Sequence, residues 1–198
     1  MRSESECFRA TPKALSIDVG CGLGTRYAGW TGLDCKRQEW LKPERAANSY
    51  RMVDLEKPLP FRDSTVANAL LLNTLEHFTR TKGVALLSEI RRVLRPGGRV
   101  LVSVPDVDVL LSRYVARDVA WFDGQRHGDG TPVFHGATLL DKAYFILAND
   151  RPGGHKYGFN EASLLRVMED SGLYSEPVEL SDRFRSLSWA VSAEGVNA

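Results

Sequence analysis

"LSIDVGCGLGTRYAGWTGLDCK", residues 15–36, decides the fold. Its first part, with Ala14 added, is a short apolar run, residues 14–19, that ends in Gly20, the pattern of a buried strand opening into a tight turn. Gly20, Gly22 and Gly24 lie just beyond, where missing side chains let backbone N–H groups approach a ligand and allow positive φ. "WTGLD", residues 30–34, then looks like a second strand. A dinucleotide-binding turn asks for G-x-G-x-x-G with a helix behind it. Residue 25 is Thr, which leaves G-x-G-x-G and suits a ligand without pyrophosphate. Alone, such a turn is also how an ordinary strand leaves a sheet.

The rest of the chain supplies a frame. "SYRMVDL", 49–55, looks like a third strand. "VANALLLN", 66–73, suits strand or helix by periodicity, and the Asp63-Ser64 turn before it favours strand. From Thr81 to Leu94 the apolar positions Val84, Leu86, Leu87, Ile90, Val93 and Leu94 recur at helical spacing until Pro96-Gly97-Gly98 stops them. "RVLVSVP", 99–105, follows as a β-branched strand. Alternating strands and helices predict an α/β fold with a mostly parallel sheet and right-handed crossovers. Residues 107–158 break the rhythm with "VLLSRYVARDVAWF" and "ATLLDKAYFIL", which look like short helices of an insertion covering a site. Asn160 is placed to cap a helix carrying Leu164, Leu165, Val167 and Met168 and ending at Gly172. Two weaker strands are expected near 174–180 and 186–193. The expected organisation is one domain over 1–198, with a core at 14–106, a lid insertion at 107–158 and a C-terminal helix and strands at 159–198.

A length of 198 residues suits one well-packed domain, and 43% hydrophobic with 26% charged residues is ordinary for a soluble globular chain. With 26 Lys+Arg against 25 Asp+Glu, a net charge of +1 gives no electrostatic reason to expect nucleic acid or an anionic membrane as partner. The longest apolar runs, "ALLL" at 69–72 and "VLVSV" at 100–104, fall far short of the ~18 to 20 residues that span a bilayer. "MRSESECFRATPK" lacks the apolar core of a signal peptide, so the cytoplasm is the expected compartment. Cys7, Cys21 and Cys35 are odd in number and without CxxC spacing, which predicts free thiols and no structural zinc. Nothing in the sequence sets an oligomeric state.

The neighbours of the glycine turn narrow its ligand. Asp34 ends the second strand, where a carboxylate can accept both ribose hydroxyls. Asp54 follows the third, where a carboxylate can accept from the exocyclic amine of an adenine. Carboxylates at the ends of successive strands line the crevice where open α/β sheets bind ligands, and together these point to an adenosine.

Over residues 15–106 the sequence resembles the class I S-adenosylmethionine-dependent methyltransferases, on "IDVGCGLG", "GLD", "VDLEKPLPFRDSTVANALLLNTLEHF" and "LLSEIRRVLRPGGRVLVSVPD". Within the class it is similar to small bacterial enzymes of the methyltransferase-type-11 kind, often associated with polysaccharide or cell-surface glycan synthesis. The resemblance implies a Rossmann-like sheet and S-adenosylmethionine as cofactor. It would place Asp18 and the backbone of Gly20, Cys21, Gly22 and Gly24 at the methionine end, and Asp34 at the ribose. Asp54 and the Leu55 backbone would hold the adenine, and Asn73 would face the methionine moiety and the methyl group.

One stretch departs from the class. Most members place a helix of three turns between the glycine turn and the second strand, whereas here only "TRYAGWT", residues 25–31, intervenes. Seven extended residues reach at most ~25 Å, enough to return along one short strand, so an extended loop or single turn is expected. Some of the small relatives share this abbreviated crossover, with an aromatic and Gly-Trp before the strand. Losing the helix removes its N-terminal dipole, leaving Arg26 or bare backbone to meet the cofactor carboxylate.

Methyl transfer from a sulfonium is an in-line displacement needing no metal, and an oxygen or nitrogen acceptor must lose its proton. A base of near-neutral pKa suits that task, and the histidines are His77, His127, His135 and His155. His77, in "LEHF", is a catalytic candidate at the cofactor's edge, or a helix-start residue that orients a loop. His155, in "GGHKYGF", is a second candidate, or a structural hydrogen-bonding group. Glu76 could orient His77 or an acceptor hydroxyl, or simply begin a helix. His127 and His135 flank "GDGTPVF" near Asp123 and Asp129, but their spacing matches no standard site and no metal is assigned. Eight aromatics between 107 and 159 mark the insertion as a substrate lid, much of which must also be core. The preferred reading is a methyltransferase acting on a small molecule or glycan. The alternatives are a catalytically weak binding or regulatory relative, and a nicotinamide-dependent enzyme, which Thr25 disfavours.

Overall fold

The structure, a computed structural model, describes residues 14–22, 24–25, 27–35, 49–127, 130–147, 154–179 and 190–197. Cys7, Arg26, Asp129 and the first part of the strand expected at 186–193 lie outside the described residues. Seven strands form one sheet in the order β3-β2-β1-β4-β5-β7-β6. They are β1 (Ser16–Val19), β2 (Thr31–Asp34), β3 (Ser49–Met52), β4 (Val66–Leu72), β5 (Leu94–Pro105), β6 (Tyr174–Pro177) and β7 (Ala190–Val196). The first five run parallel; β7 pairs antiparallel with both β5 and β6. β1 and β2 are buried along their whole length, as central parallel strands must be, while β3 at the edge is largely exposed.

Helix α1 (Arg80–Val93) buries Gly83, Leu86, Leu87, Ile90 and Val93 on one stripe. It ends one residue earlier than expected because the residue before Pro96 is disfavoured in helix, and Leu94 is already extended. β5 therefore starts five residues before the expected Arg99, with Val66 facing Leu94 and Asn68 facing Arg99. The Pro-Gly-Gly segment is a bulge within the strand, not a loop ahead of it. Gly97 adopts φ 68° there, its N–H donating to the Asn197 carbonyl at 2.8 Å, while the Asn197 amide donates to the Leu94 carbonyl at 2.7 Å.

The two faces of the sheet are covered differently. On one, Ile17, Val19, Ala69, Leu71, Val100 and Val102 pack with α1 and with α5 (Glu161–Asp170). On the other, Leu70 and Leu101 pack under Tyr27 and Trp30, 6% and 3% exposed. No helix occurs among the described residues of the first crossover. Instead the Trp30 N–H donates to the Tyr27 carbonyl at 3.2 Å, a single turn that sets the two rings 5.9 Å apart. Two aromatic side chains thus supply the cover that a helix would otherwise give.

The insertion forms α2 (Val107–Val115), α3 (Val119–Gly124) and α4 (Leu139–Leu147). These have a core of their own, built on Leu110, Phe122, Val133, Phe134, Ala143 and Ile146, with Tyr114, Trp121 and Phe145 packed against it. Tyr157 and Phe159 belong to the main core, so of the aromatics expected over the substrate only Tyr144 stands exposed. Helix α5 begins at the expected cap: Asn160 accepts from the Ser163 N–H at 3.0 Å and the Ser163 hydroxyl accepts in return at 2.9 Å. Among the described residues no helix is long and apolar enough to cross a membrane.

Candidate active site

The chain leaves β1 toward β2 but leaves β4 toward β5, which opens a crevice at the carboxyl ends of these neighbouring strands. Gly20, Gly22 and Gly24 lie at its floor with φ of 73°, 63° and 101°. The turn folds back over β2: the Gly20 N–H donates to the Leu33 carbonyl at 2.8 Å and the Gly22 N–H to Asp34 Oδ2 at 2.8 Å. A Cβ on Gly20 would stand 2.3 Å from Thr74 Oγ1, whereas one on Gly22 would meet nothing within 4 Å. The first glycine is thus demanded by packing, and the second faces open space.

Thr74 is a residue the sequence reading missed. Its buried hydroxyl donates to the Val19 carbonyl at 3.1 Å and so ties the end of β4 to the end of β1. Nothing in "NTLEHF" signals this, because the partner is 55 residues away and only strand adjacency brings it close. Asp18, buried in β1, lies beside this tie. The Cys21 Sγ packs against β2, where a Cβ on Gly32 would approach it to 2.8 Å. Burial, then Asp18 and Asp34, push the Cys21 thiol up to about 12.

Asp34 is buried at the end of β2, and its carbonyl accepts from the Val53 N–H at 2.8 Å and the Tyr50 hydroxyl at 3.2 Å. Burial and the Asp34 charge hold the Tyr50 phenol well above its ordinary range. Asp54 is exposed at the end of β3, where its Oδ1 accepts from the Glu56 N–H at 2.9 Å and its carbonyl from the Lys57 N–H at 3.0 Å. This turn places Asp54 and the half-buried Leu55 two strands from β1, roughly 10 Å away, a span an adenosine can bridge. Asn73, with φ 53°, closes the crevice at the end of β4 and donates its N–H to the Ser103 carbonyl at 2.9 Å.

Beyond Asn73 a 3-10 turn, Leu75–His77, carries Glu76 inward. Glu76 is 2% exposed, and although the Asn73 side chain leans toward it, neither carboxylate oxygen meets hydrogen-bond geometry. Burial pushes its carboxyl up to about 8, against smaller pulls from its own backbone N–H and Asn73. The Glu76 carbonyl accepts from the Lys156 N–H at 2.8 Å and the Tyr157 N–H at 3.3 Å. That clamp delivers His155, whose ring meets the His77 ring edge-on at 4.9 Å and whose Nε2 lies 4.0 Å from Glu76 Oε1. His155 Nδ1 is 2.8 Å from the Ile146 carbonyl, which can only accept, so Nδ1 carries the proton and Nε2 the lone pair. Burial, then His77, push the His155 imidazole down to about 4, leaving it neutral at pH 7. His127 and His135 stay exposed on the insertion; His135 packs on the Phe145 ring, and Asp123 pairs with Lys142.

The structure therefore brings the two candidate histidines, 78 positions apart, to one point beside Asn73. Comparison with known proteins shows what the chain is similar to. Residues 17–102 match the family described as a methyltransferase domain. The chain is 38% identical over 118 residues to an uncharacterized protein of Methanocaldococcus jannaschii, covering 54% of this chain and 48% of that one. It is 29% identical over 129 residues to an uncharacterized protein of a Streptomyces fradiae transposon, covering 58% of this chain and 37% of that one. The chain thus spans less than half the length of the curated relatives it matches. Its fold is similar to that of an S-adenosylmethionine-dependent methyltransferase from Mesorhizobium loti, with TM-score 0.58, 18% identity, and 97% of this chain and 94% of that one covered. Residues 17–102 therefore match a methyltransferase domain, and the fold is that of class I methyltransferases.

Proposed function

We propose that the chain binds S-adenosylmethionine along the ends of β1 to β4 and transfers its methyl group to a small-molecule or glycan acceptor. The observation that carries this is the placement of the open glycine turn and the Glu76, His77 and His155 cluster at the strand ends on either side of Asn73. When bound, the cofactor supplies a sulfonium methyl. The backbone at Gly20, Cys21, Gly22 and Gly24, with Asp18, takes the methionine end. Asp34 takes the ribose, Asp54 and Leu55 the adenine, and Asn73 fixes the methyl group's side of the crevice. His77 and His155 are the catalytic residues, standing where the acceptor's reacting atom must come and lose its proton. Residues 107–158 form the lid, through Ile146, which holds His155. Cytoplasmic polysaccharide precursors are the first acceptor class to screen.

Calorimetric titration with S-adenosylmethionine, S-adenosylhomocysteine and NAD tests the cofactor. Binding of the first two and not the third is expected, and the reverse overturns the reading. Release of S-adenosylhomocysteine over candidate acceptors then separates an enzyme from a relative that binds without turnover. His77→Ala and His155→Ala are expected to abolish release while keeping cofactor affinity.

A further inference from the structure

Glu76, His77 and His155 each offer a ligand atom, and these atoms all lie within 4.8 Å of one another. We propose that the three residues bind a divalent transition ion of the Zn2+ class, with a fourth position open for an oxygen of the methyl acceptor. Only that fourth position rests on the methyltransferase reading; the ion site stands on this chain's own residues.

The carboxylate makes the first argument. Glu76 is nine-tenths buried, with both oxygens outside hydrogen-bond geometry. A buried polar group left so carries a large desolvation penalty unless a cation or proton meets it. Two imidazoles face it, one with its lone pair already turned inward.

The second argument is the support behind His155. Imidazoles that bind metals almost always donate their other ring N–H to a carbonyl or carboxylate, which fixes tautomer and ring orientation. His155 does this through Nδ1 to the Ile146 carbonyl at 2.8 Å, and its backbone is held by the paired Lys156 and Tyr157 hydrogen bonds to the Glu76 carbonyl. The position of Nε2 is therefore set by α4 on one side and the 3-10 turn on the other. Bonds of ~2.0 to 2.2 Å to one ion require the donor atoms to sit closer than they do here, a contraction that side-chain rotation can supply.

The donor set selects the ion. Two nitrogens and one carboxylate suit Zn2+, Fe2+ or Co2+, and not Mg2+ or Ca2+, which take oxygen ligands. Three protein ligands with an open fourth position is the pattern of catalytic and not structural sites. An acceptor hydroxyl ligating there would be acidified by the ion, releasing its proton to solvent as the oxygen binds. The linear sequence hid this site because adjacent Glu76 and His77 share no standard spacing with His155.

Co2+ titration of the full chain, stripped of metal by a chelator, is the test. Visible absorption saturating at one equivalent and displaced by Zn2+ is expected. Glu76→Gln and His155→Gln should each weaken it at least tenfold, with His135→Ala unchanged and circular dichroism confirming each fold. Co2+ binding that is equal in wild type and both cluster variants overturns the site, as does no saturable binding. Acetohydroxamate, which needs an open position, should shift the Co2+ bands; unshifted bands overturn the fourth position alone. Loss of S-adenosylmethionine binding with Co2+ binding intact would strike the methyltransferase reading and leave the ion site standing.

Discussion

Gly22 donates its N–H to the Asp34 carboxylate at 2.8 Å, so the acid expected to hold a ribose also closes the glycine turn. The two tasks are separable. Asp34→Asn keeps an oxygen for Gly22 but loses the charge, and a charge-assisted hydrogen bond is roughly twice as strong as a neutral one. We expect Asp34→Asn to fold as the wild type and to bind S-adenosylmethionine about tenfold more weakly, or ~1.4 kcal/mol. Asp34→Ala should lose more, because the turn is released as well. Calorimetry that finds Asn binding like Asp would confine Asp34 to the turn.

The glycines of the turn should fail in different ways. Gly20→Ala drives a Cβ to 2.3 Å from Thr74 Oγ1 and 2.4 Å from Thr74 Cγ2, at a φ of 73°. Lowered thermal stability is the expected outcome even without cofactor. Gly22→Ala meets no protein atom within 4 Å and bears only the left-handed strain of about 1 to 2 kcal/mol. Its main effect should appear as weaker cofactor binding. Equal stability losses with equal affinities would show that Gly22 does not face the ligand.

Trp30→Ala should destabilise the chain by about 3 to 5 kcal/mol, the usual range for removing a large buried aromatic. Trp30 and Tyr27 cover Leu70 and Leu101, and no helix occurs among the described residues of the crossover. Tyr27→Phe, which keeps the ring, should be far milder. Urea unfolding checks both, and a Trp30→Ala loss under about 1 kcal/mol would mean that other residues cover this face.

Cys21 should resist alkylation. With its thiol near 12, about one molecule in ten thousand carries the thiolate at pH 8, against about a quarter for an ordinary thiol. Exposed Cys35 should therefore react with iodoacetamide well before Cys21, as peptide masses would show. The folded pKa lies above the unfolded one, so this thiol's contribution to stability is complete below pH ~8.5 and is lost as pH rises toward 12. Faster labelling of Cys21 than Cys35 at pH 8 would contradict the packing against Gly32.

Much of the fold was legible because its signals are local. "SIDV" and "TGLD" are runs of strand length, α1 has a clean helical stripe, and Asn160 with Ser163 caps α5 within four residues. The bulge at Pro96-Gly97-Gly98 was not legible, because it is held by Asn197 from the far end of the chain. The insertion's aromatics were similarly ambiguous, since whether a ring stacks on a ligand or fills a core depends on which helices face each other.

By itself the sequence pointed to most of the strands and helices, the glycine turn, the acids at the strand ends and a first crossover too short for a three-turn helix. Each depends on residues a few positions apart. The tertiary structure alone decided that Tyr27 and Trp30 cover the open face, that Thr74 locks β4 to β1, and that Glu76 is buried between His77 and His155. Those relations join residues distant in the chain. Sheet order and the clamp of residues 156–157 on Glu76 bring them together, and no local pattern encodes that distance.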